Sequence, residues 1–406
     1  MIARTLSFSS PGKLFAKDAQ LVYEGEDGVR RSFPIEDLGF VILETGLMTV
    51  SSHCIRQLAD ANVALVVCDA THTPSAQMLP FAAHTTTQET VAAQLGATAA
   101  VQGRLWRQVV RAKILNQSEL LRRLGFDVSR RLRAMADEVK NYDAENVEAQ
   151  AARIYFRALA PDPGFVRARE GTWPNPALNY GYGVLRAAVA RALVGSGLTC
   201  FRGVHHHNRY NAFCLADDMM EPYRPFVDQY VFGHVPPFEV QATELTHEMK
   251  ARLLQMLTCD VKTGDLKRLH DGLACQVLSG QDRPPCPPVL PVTLCTQTAL
   301  NGYAIVWLYV MFDLPVETKA QRRLATRFRK DLLKDGFAMH QYSVYIRHCA
   351  SHEAATVHIG RIKSLVPDEG LVSILKVTDR QFGDTVQFVG RKRKPPPPTP
   401  LQLELF

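Results

Sequence analysis

A proline-rich segment near residue 285 constrains the fold more than any other feature of this sequence. It contains a series of residues that interrupt regular structure: Gly280, Pro284, Pro285, Pro287, Pro288 and Pro291. Proline fixes φ and lacks a backbone donor, so neither a helix nor a central strand passes through such a run. The sequence therefore predicts a linker over residues 281–298, in a chain of 406 residues that has room for two or three domains.

The part of the chain before this linker changes its hydrophobic period once. In residues 1–82, short apolar runs such as Arg4–Phe8 and Val63–Cys68 alternate with turn residues. This pattern predicts an N-terminal β-rich domain, which we interpret as a small β-sandwich. Over residues 92–280, apolar residues recur at three- and four-residue spacing, as in Asn146–Leu159. That period predicts a central all-α domain.

The part after the linker has the order of a compact α+β domain. An apolar strand, Tyr303–Phe312, precedes a helix, Thr318–Lys334, and an extended pair, a second helix and a last strand follow. This order predicts a ferredoxin-like domain over residues 299–390. Residues 391–406 begin with a basic run and continue with prolines, which predicts a tail that is flexible or lies on a partner.

Composition and motifs exclude several classes of protein. No apolar signal-peptide core follows Met1, and the longest apolar run is about half of the ~20 residues that a transmembrane helix requires. The nine cysteines form no C-x-x-C pair and are odd in number, which favours reduced thiols over disulfides or a zinc knuckle. Walker, G-x-G-x-x-G, G-x-S-x-G and H-E-x-x-H motifs are absent from the sequence. We therefore expect a cytoplasmic protein outside those enzyme classes.

One loop and the segment after it combine histidines with acidic residues. Gly203–Asn208 contains three consecutive histidines, and Leu215–Pro222 contains Asp218 and Glu221, which share a face if the segment is helical. Imidazole and carboxylate ligands suit Mn²⁺ or Mg²⁺ better than a thiol-rich site would. A surface histidine run beside an acidic helix end explains the same residues equally well. From the residues alone, both interpretations stay open.

Two further carboxylates have a functional and a structural interpretation. Glu148 lies among alanines, whose small side chains let a metal or a backbone approach, although alanines are also good helix formers. Asp313 ends the apolar strand of the C-terminal domain, where a carboxylate is costly unless it is hydrogen-bonded or coordinated. The residues alone favour a solvated Glu148, and loop capping rather than metal ligation by Asp313.

Basic residues concentrate on two sets of predicted helices. The chain has a formal net charge of +7, and most of the basic excess follows residue 302. The candidate phosphate contacts are Arg104, Arg107, Arg111 and Lys113 in the first set and Arg322, Arg323, Arg327, Arg329 and Lys330 in the second. Such contacts give salt-sensitive and largely sequence-independent DNA binding. A solvated helix face explains any single member of either set.

A series of motifs, in order along the chain, resembles one family. The segments that carry the resemblance are Ile42–Glu44, Asn62–Asp69, Lys113–Gln117, Glu148–Ala152, Leu178–Arg186, Gly203–Asn208 and Leu215–Pro225. Through them, residues 1 to about 280 resemble the CRISPR spacer-acquisition integrase of the type II-C branch. The stretch from Ala299 to Phe406 is similar to the small ferredoxin-like adaptor encoded beside that integrase, through Met311–Pro315, Phe337–Arg347 and Gln402–Phe406. The chain is identified as a natural fusion of the two.

This resemblance implies a site and a reaction. It assigns Glu148, His206 and Glu221 as catalytic ligands of Mg²⁺ or Mn²⁺ in the central domain, and matches Asp218 less closely to a supporting acidic position. The extra histidine in the motif leaves either neighbour as an alternative to His206. The implied chemistry is transesterification, in which the 3′-hydroxyl of a short donor DNA attacks a phosphodiester at the end of a CRISPR repeat.

The resemblance also implies partners and a location. The partners are double-stranded donor DNA, CRISPR repeat and leader DNA, and further copies of the chain in homodimers and higher oligomers through both domains. The type II RNA-guided interference nuclease is a further candidate, and the location is the bacterial cytoplasm, without a membrane. Two other functions stay open: a non-catalytic DNA-binding scaffold with a degenerate metal site, and a nuclease centred on the C-terminal domain, with Asp313 at a separate metal site.

Overall fold

The structure is a computed structural model. It describes residues 4–70, 72–80, 84–160, 165–168, 173–233, 245–258, 260–263, 265–268, 306–349, 352–389, 392–394 and 403–406. The predicted linker, 281–298, lies outside the described residues, as do 269–280 of the predicted all-α domain and 395–402 of the predicted tail. In the part of the chain that is described, no helix is long and apolar enough to cross a bilayer.

Two β-sheets form the N-terminal region. Its elements are β1 (Arg4–Phe8), β2 (Gly12–Lys17), β3 (Gln20–Gly25), β4 (Arg30–Pro34), β5 (Leu38–Leu43), β6 (Met48–Val50), α1 (Ser52–Asp60), β7 (Ala64–Cys68) and β8 (Pro74–Met78). One sheet contains β1-β5-β7-β8 in that order, and the other has the order β4-β3-β2-β6. Phe8 of the first sheet and Phe33 of the second share a core with Leu58 of α1. The β-rich prediction is confirmed, but β1, β5 and β7 pair in parallel, unlike the strands of a simple antiparallel sandwich.

Helices dominate the central region. They are α2 (Thr87–Leu95), α3 (Ala99–Arg123), α4 (Ser129–Glu138), α5 (Val147–Leu159), α6 (Asn175–Gly195), α7 (Cys214–Met220), α8 (Arg224–Gly233) and α9 (His247–Leu254). The chain turns at Gly96 between α2 and α3, and Thr98 caps α3 by accepting a hydrogen bond from the Val101 amide. A hairpin of β9 (Asp260–Thr263) and β10 (Asp265–Arg268) follows α9. The all-α prediction was therefore wrong for these residues.

The C-terminal region confirms the predicted ferredoxin-like order. Its elements are β11 (Val306–Asp313), α10 (Lys319–Lys334), β12 (Ala338–Gln341), β13 (Val344–Cys349), α11 (His352–Leu365), β14 (Leu371–Thr378) and α12 (Asp379–Gly383). The sheet is antiparallel with the order β12-β13-β11-β14. Thr318 and Gln321 form a capping box at the start of α10, and Gly336 follows its end with a φ of 80°.

The two described parts of the tail pair with different regions of the chain. Residues Lys392–Lys394 (β16) pair antiparallel with Gln387–Val389 (β15), and Leu403–Leu405 (β17) pair in parallel with β1. The ring of Phe406 stacks on that of Phe8 with 5.0 Å between the centroids. The prediction of a tail that is flexible or lies on a partner was therefore wrong for residues 403–406, which extend the first sheet to five strands.

Candidate active site

Glu148 lies in the first turn of α5 because Asp143 caps that helix. The two carboxylate oxygens of the buried Asp143 accept hydrogen bonds from the backbone amides of Val147 at 2.9 Å and Glu148 at 3.0 Å. Asn146, with a φ of 53°, turns the chain into the helix. The first helical turn carries the positive end of the helix dipole, which stabilises a carboxylate at Glu148.

Glu221 lies between α7 and α8, in a single helical turn that also contains Pro222. The Pro222 carbonyl accepts a hydrogen bond from Nδ2 of Asn116 at 2.6 Å, which attaches this turn to α3. The Glu221 side chain is only 7% exposed. A buried carboxylate is thus held at a fixed distance from α3.

A lysine on α3 joins the two carboxylates. Lys113 places Nζ 2.5 Å from Oε1 of Glu148 and 2.6 Å from Oε2 of Glu221, and we call these three residues the carboxylate cluster. Burial raises the pKa of Glu221, but Lys113 and Arg224 outweigh burial, so that pKa lies below its ordinary value. Burial lowers the pKa of Lys113, but Glu221 and Glu148 raise it overall. The sequence predicts that Lys113 contacts DNA phosphate. In the structure it is a largely buried cation inside the cluster.

Asp218 organises the histidine loop. This fully buried carboxylate accepts hydrogen bonds from the backbone amides of Val204 at 2.6 Å and His205 at 2.8 Å through Oδ2, and from that of His206 at 3.2 Å through Oδ1. Oδ1 also pairs with Nδ1 of His206, which raises the pKa of that imidazole. Nε2 is then the ring nitrogen that His206 offers to a ligand. Because both its oxygens are used in the loop, Asp218 orients His206 rather than offering an oxygen of its own.

The three consecutive histidines have different surroundings. The His205 ring stacks on Trp106, with centroids 4.2 Å apart and planes 5° apart. His207 is exposed. His206 is the histidine that a buried carboxylate orients, which supports its choice over its neighbours as the ligand.

The donor set fits a hard divalent cation. Glu148 and Glu221 offer carboxylate oxygens and His206 offers an imidazole nitrogen, a combination that suits Mn²⁺ or Mg²⁺. Oε2 of Glu221 is buried and, although it lies beside Lys113, makes no hydrogen bond of acceptable geometry. A buried oxygen of this kind is a natural metal ligand. The ligand atoms of these three residues do not all lie within 4.8 Å of one another, however. Among the described residues, the group that does meet this spacing is Glu36, Asp335 and His358.

That tighter group lies where the N-terminal and C-terminal regions meet. Arg347 donates to Oε1 of Glu36 at 2.7 Å, and Arg361 donates to Oε2 of Glu36 at 2.8 Å and to Oδ1 of Asp335 at 2.8 Å. Nδ1 of His358 lies 2.9 Å from Oδ2 of Asp335. We call these five residues the junction cluster. Since each carboxylate oxygen of Glu36 and Asp335 already has a partner, the cluster is an ion-pair network that joins the two regions, and the sequence prediction missed it.

Asp313 lies apart from both clusters. It is exposed at the end of β11, and its carboxylate makes no hydrogen bond or ion pair with any residue that the structure describes. Loop capping and a separate metal site at Asp313 both stay predictions.

The predicted phosphate contacts other than Lys113 face solvent. Arg104, Arg107 and Arg111 are exposed on α3 and line one groove with Asp137. On α10, a second open groove is lined by Arg322, Arg323, Arg327 and Lys330. The exposed Arg329 lies on the same helix, with its guanidinium 5.9 Å from the centroid of the Phe312 ring. Both helices thus present basic surfaces that a phosphate backbone can reach.

Two family models match separate parts of the chain. The model for CRISPR associated protein Cas1 matches residues 6–258, which include the carboxylate cluster and the histidine loop. The model for CRISPR associated protein Cas2 matches residues 306–385. The chain belongs to the Cas1 family, with a Cas2-family domain fused to it.

Individual relatives support both halves of this Cas1–Cas2 fusion. The CRISPR-associated endonuclease Cas1 of Neisseria meningitidis serogroup C (strain 8013) is 36% identical over 258 residues, which are 63% of this chain and 84% of that protein. The CRISPR-associated endoribonuclease Cas2 of Parvibaculum lavamentivorans (strain DS-1) is 54% identical over 101 residues, which are 25% of this chain and 100% of that protein. A solved structure of a casposase bound to integration product has a TM-score of 0.56 at 19% identity and covers 69% of this chain and 89% of the casposase chain. That similarity shows a shared fold.

Proposed function

We propose that this Cas1–Cas2 fusion inserts short donor DNA into a CRISPR array by transesterification that depends on Mg²⁺ or Mn²⁺. One observation carries the proposal: Glu148 and Glu221 converge on a single buried cationic position, beside a His206 that Asp218 orients, in a chain of the Cas1 family. Carboxylates and an imidazole around one cationic position are the equipment of metal-assisted phosphoryl transfer.

The proposed reaction exchanges one phosphodiester for another. The 3′-hydroxyl oxygen of the donor bonds to phosphorus and loses its proton, while the bond from phosphorus to the 3′-oxygen of the repeat strand breaks and that oxygen takes up a proton. A divalent cation held by Glu148, His206 and Glu221 would polarise the scissile phosphate and favour the attacking alkoxide. The side chains themselves position the reaction, since Asp218 holds the imidazole and Asn116 holds the turn that carries Glu221.

The basic surfaces are proposed to hold the DNA. The arginines of α3 flank the catalytic domain's site, and the basic row on α10 lets the Cas2-family domain bridge the donor duplex without taking part in the chemistry. Each phosphate contact releases counterions, so binding weakens steeply as salt rises, with a slope of about −0.9 per contact on logarithmic axes. If water replaces the 3′-hydroxyl, the same site cuts DNA, which agrees with the endonuclease name of the Neisseria relative.

The assembly belongs to the proposal as well. Similarity to the Neisseria protein is compatible with the type II-C branch, and we propose homodimers and higher oligomers that hold donor and repeat DNA. The type II RNA-guided interference nuclease is the proposed partner in donor selection.

A joining assay on the full-length chain tests the function. Labelled donor duplex is incubated with a supercoiled plasmid carrying the CRISPR repeat, and wild type is expected to join the two in Mn²⁺ or Mg²⁺ but not in EDTA. Glu148→Gln removes a ligand charge at constant shape, and losing several kcal/mol of metal assistance predicts a rate lower by about 10³-fold. His207→Ala, which changes an exposed neighbour of the ligand, is the matched control and is expected to join at the wild-type rate.

Two outcomes would reject parts of this proposal. Joining by Glu148→Gln at the wild-type rate would show that the site is elsewhere. DNA binding by wild type, without joining or nicking at any Mn²⁺ or Mg²⁺ concentration, would favour the non-catalytic scaffold instead.

A further inference from the structure

The ammonium of Lys113 lies where the proposed function places a metal ion. Its side chain is 13% exposed, and Nζ is within 2.6 Å of one oxygen each of Glu148 and Glu221. We infer that Lys113 is a built-in counter-ion that holds the two carboxylates together in the metal-free protein and must leave this position when the divalent cation binds. This inference rests on the proposed function, because it assumes that Glu148 and Glu221 are the metal ligands.

The need for such a counter-ion follows from burial. Glu221 is 7% exposed and Glu148 is 23% exposed, so two neighbouring carboxylates would repel each other with little water to screen them. A lysine placed between the two carboxylates removes that repulsion when no metal ion is bound. Lys113 therefore neutralises the two carboxylates in the absence of a metal ion, as the divalent cation would when it is bound.

The geometry distinguishes a temporary partner from a permanent one. Arg224 donates to Oε1 of Glu221 at 2.8 Å, and its guanidinium lies 4.7 Å from the centroid of the Tyr182 ring. That stacking fixes Arg224 in place. Lys113, in contrast, is shared: it donates to Oε1 of Glu148 at 2.5 Å and lies 2.6 Å from the buried Oε2 of Glu221. A flexible ammonium shared between two carboxylates is easier to replace by a metal ion than a stacked guanidinium is.

Side-chain chemistry supports the same assignment. Lysine carries a compact, strongly hydrated charge on a flexible four-carbon stem, so its ammonium moves without displacing the α3 backbone. Among the described residues, the ligand atoms of Glu148, His206 and Glu221 do not all lie within 4.8 Å of one another. Departure of Lys113 would allow the two carboxylates to close on a smaller and more highly charged ion.

The consequence is competition between Lys113 and the divalent cation. Every cation that binds must overcome repulsion by a positive charge near its ligands, or displace it. Removing that charge should therefore strengthen metal binding while weakening the metal-free fold. A lysine with a purely structural role would lower stability but would leave metal affinity unchanged or make it weaker.

Calorimetric titration of the full-length protein with Mn²⁺ alone tests this competition. Lys113→Met keeps the length of the stem and removes the charge, and it is expected to bind Mn²⁺ at least about ten-fold more tightly than wild type. Lys113→Arg keeps the charge and is expected to bind no more tightly than wild type. In EDTA, Lys113→Met should melt at a lower temperature than wild type, and saturating Mn²⁺ should narrow that difference.

A Glu148→Gln variant distinguishes failure of the assigned metal site from failure of the counter-ion role of Lys113. If Mn²⁺ binding is unchanged in Glu148→Gln, the assigned metal site is wrong and the proposed function fails with it. If Glu148→Gln abolishes binding but Lys113→Met binds no more tightly than wild type, the metal site stands and the counter-ion role of Lys113 is overturned. Where Lys113→Met does not fold, Lys113→Gln, which is neutral but polar, is titrated under the same criterion.

Discussion

The carboxylate cluster and the junction cluster are built from the same kinds of side chain, yet they differ in how completely they are satisfied. In the junction cluster, each of the four carboxylate oxygens of Glu36 and Asp335 pairs with an arginine or with His358. In the carboxylate cluster, Lys113 lies between Glu148 and Glu221, Arg224 pairs with the other oxygen of Glu221, and Oε2 of Glu221 has an ion-pair contact with Lys113 but no further partner among the described residues. The junction cluster has the more closely spaced ligand atoms, but its carboxylate oxygens are already paired and have least capacity to bind a metal ion. Close spacing alone would therefore identify the wrong cluster as the metal site.

The kind of cation explains the difference. Arginine presents several donors in a rigid fork, and Arg347, which is 2% exposed, donates to both Glu36 and Asp37 and to the Asp335 carbonyl. Such a network is suited to fixing one region against another. A single lysine among buried carboxylates forms fewer directed bonds and is easier to displace. Full pairing of every carboxylate oxygen fits a structural junction, whereas a lysine shared between two carboxylates fits the metal site that we propose.

Replacing the histidine beside the carboxylate cluster and, separately, the histidine of the junction cluster should give the largest contrast. His206→Ala removes the imidazole ligand, and we expect DNA joining to fall by about 10²-fold or more, with weaker Mn²⁺ binding. His358→Ala removes a buried partner of Asp335 and should lower stability by about 1–3 kcal/mol while Mn²⁺ binding is kept. Joining assays and Mn²⁺ titrations, run below the melting temperatures of both variants, measure the two effects. Equal loss of Mn²⁺ binding in the two variants would contradict the distinction between the clusters.

Removing the buried arginine of the junction should have the next largest effect. Arg347→Met removes a buried cation from the partly exposed carboxylates of Glu36 and Asp37 and leaves the Asp335 carbonyl without its donor, which predicts a loss of about 1–3 kcal/mol from the docking of the two regions. Arg361 is 46% exposed, so Arg361→Met should cost at most about 1 kcal/mol. Thermal melting, with limited proteolysis to detect separation of the regions, compares the two variants. The assignment of a structural junction is wrong if Arg347→Met melts and resists protease as wild type does.

The candidate metal ligands came from the family resemblance, because the residues alone favoured a solvated Glu148 and left the histidine loop open; each candidate nevertheless lies in a short segment with a recognisable local pattern. Glu148 follows a helix cap, Glu221 precedes a proline, and His206 lies in a motif of consecutive histidines. The position of Lys113 was not accessible, because it depends on the packing of α3 against α5 and against the turn after α7. One signal was present: Lys113 and Asn116 are about one helical turn apart, so they share a face of α3, and Asn116 is buried where it donates to Pro222.

Long-range pairing limited the rest of the prediction. Alternation and turn residues predicted the strands of the ferredoxin-like domain, because neighbouring elements form most of that sheet. The junction cluster, in contrast, joins Glu36 to residues some 300 positions later, and no local pattern marks it. The pairing of β17 with β1 has the same origin: a proline-rich tail gives no sign of the edge strand on which it ends.

Asp228 provides the smallest and most specific test of how cations set the charge of buried carboxylates. Among the described residues, its hydrogen-bond partners are two tyrosines and not a cation. Asp228 accepts hydrogen bonds from the hydroxyls of Tyr155 at 2.7 Å and Tyr182 at 2.5 Å. Burial raises its pKa to about 6, against an ordinary value of 3.8, although both tyrosines lower it. Because the pKa is higher in the folded chain, this group contributes most stability below about pH 3.8 and loses that contribution as the pH rises through about 6.

Asp228→Asn should therefore change how stability depends on pH. Between pH 8 and pH 5, wild type regains about 1 kcal/mol from protonation of Asp228, whereas the asparagine cannot titrate. The melting temperature of wild type minus that of Asp228→Asn should accordingly rise by a few degrees as the pH falls, because all other titrating groups are shared. A difference that stays constant with pH would mean that hydrogen bonds from two tyrosines keep this carboxylate charged as effectively as an ion pair does. The presence of a paired cation would then not determine which buried carboxylates of this protein are charged.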